Sequence, residues 1–304
     1  MAALSVTVRV PAKVNLHLGV GPLRPDGKHQ LQTIYQAVSL YDEVTIEATD
    51  DDSVTVELVG EHVDDVPTGD DNLAVQAVRA VAALAGVDPS VQLTLRKGIP
   101  VGGGLAGGSA DAAAALIAAD ALWQCGFDRQ VLTQLAAGLG SDVAFLLHGG
   151  TALGTGHGEV VSPVLSRGEW HWVLAVAESG LSTPSVYAEL DRQRGGDDNA
   201  EPAVADGVVA ALRAGDVVAL GYALRNDLQS PALQLRPNLV RVLEAGKELG
   251  AAGGIVSGSG PTVALLAPTA GEAIRIASAL AGLDLCRTVR RATGPVPGAR
   301  IITS

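Results

Sequence analysis

The chain has 304 residues, a formal net charge of −12, 47% hydrophobic and 18% charged residues. That composition is globular rather than disordered, and the acidic balance argues against nucleic acid as a partner, since binding a phosphate backbone needs basic patches. No apolar run approaches the roughly 18 residues that span a bilayer, the opening MAALSVTVRV lacks the regions of a signal peptide, and Cys125 and Cys286 show no metal-like spacing, so a cytoplasmic protein without disulfides, zinc or membrane is expected.

The first segment alternates. Val6, Val8, Val10, Ala12, Val14, Leu16 and Leu18 take the even positions, and Arg9, Lys13, Asn15 and His17 take odd ones. A strand of that period buries the even face and lines Lys13, Asn15 and His17 along the other, and Pro11 marks an edge or a bulge. Further β segments are expected at Glu43–Ala48 and Val54–Leu58. Asn72 then reads as the cap of a helix with Leu73, Ala77, Val81 and Leu84 on one face and Gly86 past its end. Val91–Leu95 reads as a strand leading into PVGGGLAGGSADAA, Pro100 to Ala113.

Five glycines stand between Gly102 and Ser109, directly before an alanine-rich helix expected from about Ser109 to Gln124. Each glycine loses more freedom on folding than any other residue. The cluster is therefore either a tight turn or a loop whose bare amides wrap an anion at a helix N-terminus. A second helix, Asp128–Leu139, and the block LGSDVAFLLHGG follow. A domain boundary is expected at Gly158, dividing 1–158 from 159–304; beyond it lie a new strand in EWHWVLAVA, a polar loop over 191–202, helices from Gly207 to Leu249, and a second glycine loop, GIVSGSGPT, before the strand Val263–Leu266. Helices and strands without strict alternation give an α+β class. No feature of the sequence sets an oligomeric state.

Gly102, Gly104 and Gly107 fit the letters GxGxxG, but a dinucleotide fold requires a second strand after the helix, and a second helix stands there instead. A Walker A loop fails too, because no lysine precedes Ser109. The phosphate-cradling physics survives both exclusions. Asp142, in Gly140-Ser141-Asp142, reads as a helix N-cap, which local sequence favours, or as a carboxylate that takes a hydroxyl proton. Lys13 is either an exposed lysine or the cation that pairs with that base and offsets charge on a moving phosphoryl group. Asp111 complements the first turn of its helix.

PAKVNLHLGV at Pro11–Val20, DGKHQLQT at Asp26–Thr33, the glycine loop, LGSDVAFLLHGG and GIVSGSGPT together resemble the GHMP kinase family, in family order and over nearly the whole chain. The resemblance implies a two-domain architecture: an N-terminal ATP-binding α/β domain, a C-terminal ferredoxin-like domain and an active site between them. PAKVNL with DGxHxLQT points to members of the non-mevalonate isoprenoid route, which move the γ-phosphate of ATP to the 2-hydroxyl of 4-diphosphocytidyl-2-C-methyl-D-erythritol. A homoserine or mevalonate-type kinase would have no use for that block; a nucleotide sensor and a dehydrogenase are the readings from other classes.

The resemblance implies Asp142 as base and Lys13 as its partner. It implies that Pro100, Val101, Gly102, Gly103, Gly104, Leu105, Ala106, Gly107, Gly108, Ser109 and Ala110 wrap the ATP phosphates, with Lys97 and Asn72 near the nucleotide and Ser109 helping with Mg²⁺. Asn15, Lys28, His29, Thr183 and Tyr187 would contact the cytidyl acceptor, Tyr187 by stacking on its ring. Lys28 stands where the family usually has an aromatic, so its alkyl stem serves as one wall or its ammonium reaches the diphosphate. A side chain at Gly103 or Gly107 is expected to block the phosphates.

Overall fold

The computed structural model describes residues 5–24, 27–51, 53–195 and 201–302; Asp26, which opens one sequence block, and 196–200 of the expected polar loop lie outside the described residues. β1 (Ser5–Leu23) carries the alternating segment, and Val8, Val10, Ala12, Val14 and Leu16 enter the core as expected. The polar face is buried as well. Lys13 is only 5% exposed, because Ser257 covers Asn15 and the Ala203 carbonyl bonds to His17 Nε2 at 2.7 Å. The reading of Lys13 as an ordinary exposed lysine is therefore corrected.

β2 (His29–Ala48) pairs antiparallel with β1 along most of its length, and the register slips between Pro11 and Ala12, the bulge that the proline foretold. β3 (Val54–Gly60), α1 (Leu73–Ala85) and β4 (Val91–Lys97) form a crossover that places β3 and β4 in parallel. Asn72 caps α1 by accepting from the Ala74 amide, and Gly86 ends the helix in the left-handed region. α2 (Gly107–Leu122) packs on β1, β2 and α1, its buried alanines allowing close approach. α3 (Arg129–Leu139), capped by Asp128, and α4 (Ser141–His148) follow, and a hairpin of β5 (Thr151–Thr155) and β6 (Val160–Pro163) adds to β2.

β7 (Trp170–Val176) starts a second sheet; after it come α5 (Thr183–Arg194), α6 (Asp206–Ala214), α7 (Val217–Ala223), the short β8 (Arg225–Asn226), α8 (Gln229–Leu235) and α9 (Asn238–Glu248). β9 (Gly253–Val256), β10 (Val263–Ala267), α10 (Ala270–Ala281), β11 (Thr288–Gly294) and β12 (Arg300–Ile301) complete the chain. α5 runs through Arg194, so the loop expected from 191 starts later. The second sheet has the order β11-β7-β10-β9, antiparallel throughout, which is the ferredoxin-like arrangement. The first sheet is built on β12-β1-β2-β4-β3. The boundary expected at Gly158 falls inside the β5–β6 hairpin, whose strands both belong to the first sheet, and β8 and β12 return to β1 from the far part of the chain. The first sheet is thus not confined to one side of residue 158, whereas every strand of the second lies beyond it.

Hydrogen bonds tie the halves together. Trp172 on β7 donates its indole N–H to Gln36 Oε1 on β2 at 2.9 Å, and the Gln36 amide donates to Thr151 Oγ1 at 3.1 Å, all buried. Gln36→Leu strands the buried indole donor and the Thr151 hydroxyl. A loss of about 1–3 kcal/mol is expected, measured as a lower urea midpoint at unchanged slope; an unchanged midpoint would show that the bridge contributes nothing to stability.

Candidate active site

A cleft of about 990 Å³ opens between the two sheets, lined by Lys13, Tyr35, the glycine loop, the start of α4, Tyr187 and Gly258. The glycine loop leaves β4 and enters α2 through three left-handed residues, Gly102 (φ 69°), Gly104 (φ 73°) and Ala106 (φ 63°). Ala110 makes the first intrahelical bond, to the Ala106 carbonyl. The amides of Gly107, Gly108 and Ser109 therefore have no carbonyl of their own helix to bond, and all three residues line the cleft. Amides so placed, with the positive end of the α2 dipole behind them, suit an anion.

Within this loop, Gly104 is the glycine whose replacement the protein itself forbids. A Cβ there would lie 2.3 Å from the Gly260 carbonyl oxygen, because the tip of this loop packs against the second glycine loop between β9 and β10. At Gly107 a Cβ would meet nothing nearer than Lys97 Nζ at 3.4 Å, and its φ is not positive. At Gly103 the nearest atom is the Pro100 carbonyl oxygen at 3.1 Å. Within the protein itself the loop is thus most crowded at Gly104, and the cause is a neighbouring loop.

Lys13 Nζ lies 3.4 Å from Asp142 Oδ2 and donates to Asn15 Oδ1 at 2.7 Å. Asn15 in turn donates to Thr33 Oγ1 at 2.9 Å, and the Thr33 hydroxyl donates to the His17 carbonyl at 2.7 Å, so a chain of bonds within β1 and β2 fixes the lysine. A side chain on Gly258 would fall 3.3 Å from Lys13 Nζ, which places the second glycine loop over the ammonium. Asp142 is not a cap. Gly140 holds that position, and Asp142 stands in the first turn of α4 with 28% of its side chain exposed. Tyr35, directly opposite Asn15 in the β1–β2 register and stacked on Phe145, is a cleft residue that the sequence reading missed. Burial and then the Asp142 charge hold its phenol well above the ordinary range, and the same two causes push Tyr187 up to about 12.

In the same cleft, His29 and Tyr187 stack with centroids 5.2 Å apart at 22°. The His29 Nδ1–H donates to the Gly21 carbonyl at 3.0 Å, leaving Nε2 3.5 Å from Asp191, a neighbour the sequence did not suggest. Thr183 and Ser259 hydroxyls bond at 2.7 Å, and Lys28 is exposed on the cleft wall. Asn72 uses its side chain on the Ala74 amide and the Pro67 carbonyl, and neither it nor the buried Ala110 lines the cleft. The Lys97 ammonium is taken by Asp42 and Asp111. Burial acts against that charge, but the two carboxylates more than offset it, and the lysine's pKa is raised; burial likewise pushes the Asp111 carboxyl up to about 8 against the pull of Lys97. Asp111 is therefore part of a buried cluster with Lys97 and Asp42, where only a complement to the first turn of its helix was expected.

The chain matches the family profiles for the GHMP kinases N terminal domain over residues 72–150 and GHMP kinases C terminal over 208–283. A protein of Salinispora arenicola (strain CNS-205) named 4-diphosphocytidyl-2-C-methyl-D-erythritol kinase is 57% identical, across 97% of this chain and 93% of that one. The chain belongs to the GHMP kinase family. A crystal structure of a 4-(cytidine 5'-diphospho)-2C-methyl-D-erythritol kinase superposes on this family member with a TM-score of 0.76 at 32% identity, covering 94% of this chain and 98% of that one. A homoserine kinase from Cytophaga hutchinsonii has a TM-score of 0.75 at 19% identity over 99% and 98% of the two chains, a likeness of fold alone. The kinase activity and the two halves expected from the sequence blocks hold for this GHMP kinase, and the family implies ATP as its phosphoryl donor. No helix among the described residues is long and apolar enough to cross a membrane.

Asp142→Asn keeps the shape of the side chain and removes its capacity to take a proton. Because Gly140 rather than Asp142 caps α4, no cap is lost, and any fall in melting temperature is expected to reflect only the loss of the charge facing Lys13. Turnover is expected to fall by about 10²-fold or more. A variant with near-normal turnover in steady-state assays would remove Asp142 from the chemistry.

Proposed function

We propose that this GHMP kinase transfers the γ-phosphate of ATP to the 2-hydroxyl of 4-diphosphocytidyl-2-C-methyl-D-erythritol, giving the 2-phosphate and ADP in the non-mevalonate route to isoprenoid precursors. The observation that carries the proposal is the placement of the Lys13–Asp142 pair in one cleft with the helix-end amides of Gly107–Ser109 and the His29–Tyr187 stack. The helix-end amides suit phosphates and the aromatic pair suits a base, which supports Asp142 as the carboxylate that meets the acceptor hydroxyl.

Phosphoryl transfer asks the protein for positioning and charge more than for covalent chemistry. Asp142 accepts the proton of the acceptor hydroxyl as the new O–P bond forms and the bond between the β and γ phosphates breaks, ADP leaving with the electron pair. Lys13, held by Asn15, fixes Asp142 in place and opposes negative charge on the moving group. The loop amides hold the phosphates of the donor. Ser109 offers a hydroxyl on the cleft wall, and among the described residues no cluster of three acidic, histidine or cysteine side chains forms a metal cage. Such a sparse donor set fits Mg²⁺, which takes most of its ligands from phosphates and water. When bound with the nucleotide, Mg²⁺ neutralises phosphate charge, and Ser109 is the residue that would hold it.

Tyr187, His29, Thr183 and Asn15 bind the acceptor in this reading. His29 supplies the ring that faces Tyr187, which leaves Lys28 to act through its charge on the acceptor diphosphate. A cytoplasmic setting is part of the proposal, in keeping with two free cysteines. The test is a coupled assay of ADP release with three acceptors. Release that depends on 4-diphosphocytidyl-2-C-methyl-D-erythritol and is at background with homoserine or mevalonate is the expected result; release with either of the others alone would overturn it.

A further inference from the structure

Three titratable side chains lie buried beneath the glycine loop, and the transfer reaction as proposed uses none of them directly. Asp42 on β2 is fully buried, and the side chains of Lys97, at the end of β4, and Asp111, on α2, are each 3% exposed. The Lys97 ammonium donates to both carboxylates and also approaches the Gly107 carbonyl, at 3.4 Å. Asp42 Oδ1 accepts the backbone N–H groups of Gly98 at 2.7 Å and Ile99 at 2.8 Å. Residues 97–99 form the stem by which the chain enters the loop, and residues 107–111 form the stem by which it leaves. One ammonium and one carboxylate thus tie both stems together.

We propose that Asp42, Lys97 and Asp111 act as a clamp that sets the spacing of the two stems, and so the aim of the loop amides, making them positioning residues for the nucleotide phosphates. The proposal rests on the reading of the loop as a phosphate cradle. A stretch with five glycines in seven residues, Gly102 to Gly108, has little conformational preference of its own, so its shape must be imposed from the stems. A buried ion cluster is a weak source of stability, because desolvation consumes most of its Coulombic gain. What it supplies here is direction: a charged donor with fixed acceptors on β2 and α2, and a carboxylate holding two consecutive amides. The bond from β4 to α2 through Lys97 and Asp111 is the link that joins the stems, and it can be cut without touching the cleft-facing amides.

The test compares Asp111→Ala with Asp111→Asn in the full-length enzyme, reading the dissociation constant of a non-hydrolysable ATP analogue by calorimetry, KM for each substrate, and the melting temperature. Loss of one charge-assisted bond predicts that Asp111→Ala weakens the analogue and raises KM for ATP by about tenfold, with KM for the acceptor moving by less than about twofold. Asp111→Asn still accepts from Lys97 and is expected to recover most of the nucleotide affinity. Unchanged nucleotide binding in a folded Asp111→Ala protein would overturn the clamp. So would an asparagine variant as weak as the alanine one, which would mean that the charge acts on the nucleotide itself, and so would equal rises in both KM values, which would mean general loosening. If the alanine variant does not fold, Asp42→Asn is read in the same way: it keeps an acceptor for the Gly98 and Ile99 amides and removes the charge facing Lys97. A parent enzyme that binds no analogue would overturn the kinase reading, and the clamp with it.

Discussion

An ammonium as deeply buried as that of Lys13 costs far more in lost hydration than an exposed one, unless opposite charge and acceptors surround it. Lys13 has both: Asn15 Oδ1 at 2.7 Å and Asp142 at 3.4 Å. The rest of the site follows from keeping that cation dry and aimed. Asn15 is oriented by Thr33, Thr33 by the His17 carbonyl, and the long β1–β2 pairing makes this chain rigid. Asp142 comes from α4, a helix whose first turn reaches the cleft because Gly140, with a conformation outside the helical region, caps it.

The cover over Lys13 comes from the distant half of the chain. The second glycine loop passes close to both Lys13 and the tip of the first loop, and contact between Gly104 and Gly260 leaves no room for a Cβ. Two glycine-rich loops therefore meet at one point: the first, proposed to bring amides to phosphates, and the second, which approaches a lysine and a neighbouring backbone. The late strands β8 and β12 join the first sheet, while the second takes no strand from the first part of the chain. With β8 and β12 on the first sheet and Trp172 bonded to Gln36, the halves are held at a fixed separation, and a cleft built from both keeps its geometry.

Much of this was legible along the chain. The period of two in β1 placed Lys13, Asn15 and His17 on one face, the Asn72 and Gly86 signals bounded α1, and the exclusion of dinucleotide and Walker loops left a cradle of a different kind. Burial of the Lys13 face was not legible, since Ser257 and Ala203 cover it from far along the sequence. The first half of β2 escaped notice because it is buried on both faces between His29 and Val38 for much of its length, which erases alternation. Asp142 looked like a cap because a short glycine-serine-aspartate run does not reveal which residue leaves the helix. The partners of Lys97 are 55 and 14 positions away, a separation that no local pattern encodes.

The central claim is that Lys13 and Asp142 act as one unit on the transferring group. A double-mutant cycle on turnover tests it most directly, with Lys13→Met, Asp142→Asn and the two combined, each checked for native folding by circular dichroism. The account predicts strong non-additivity: once either partner is gone, removing the other costs little more, as for groups that work together. Losses that multiply across the cycle would contradict it, because they would mean that the two side chains contribute independently.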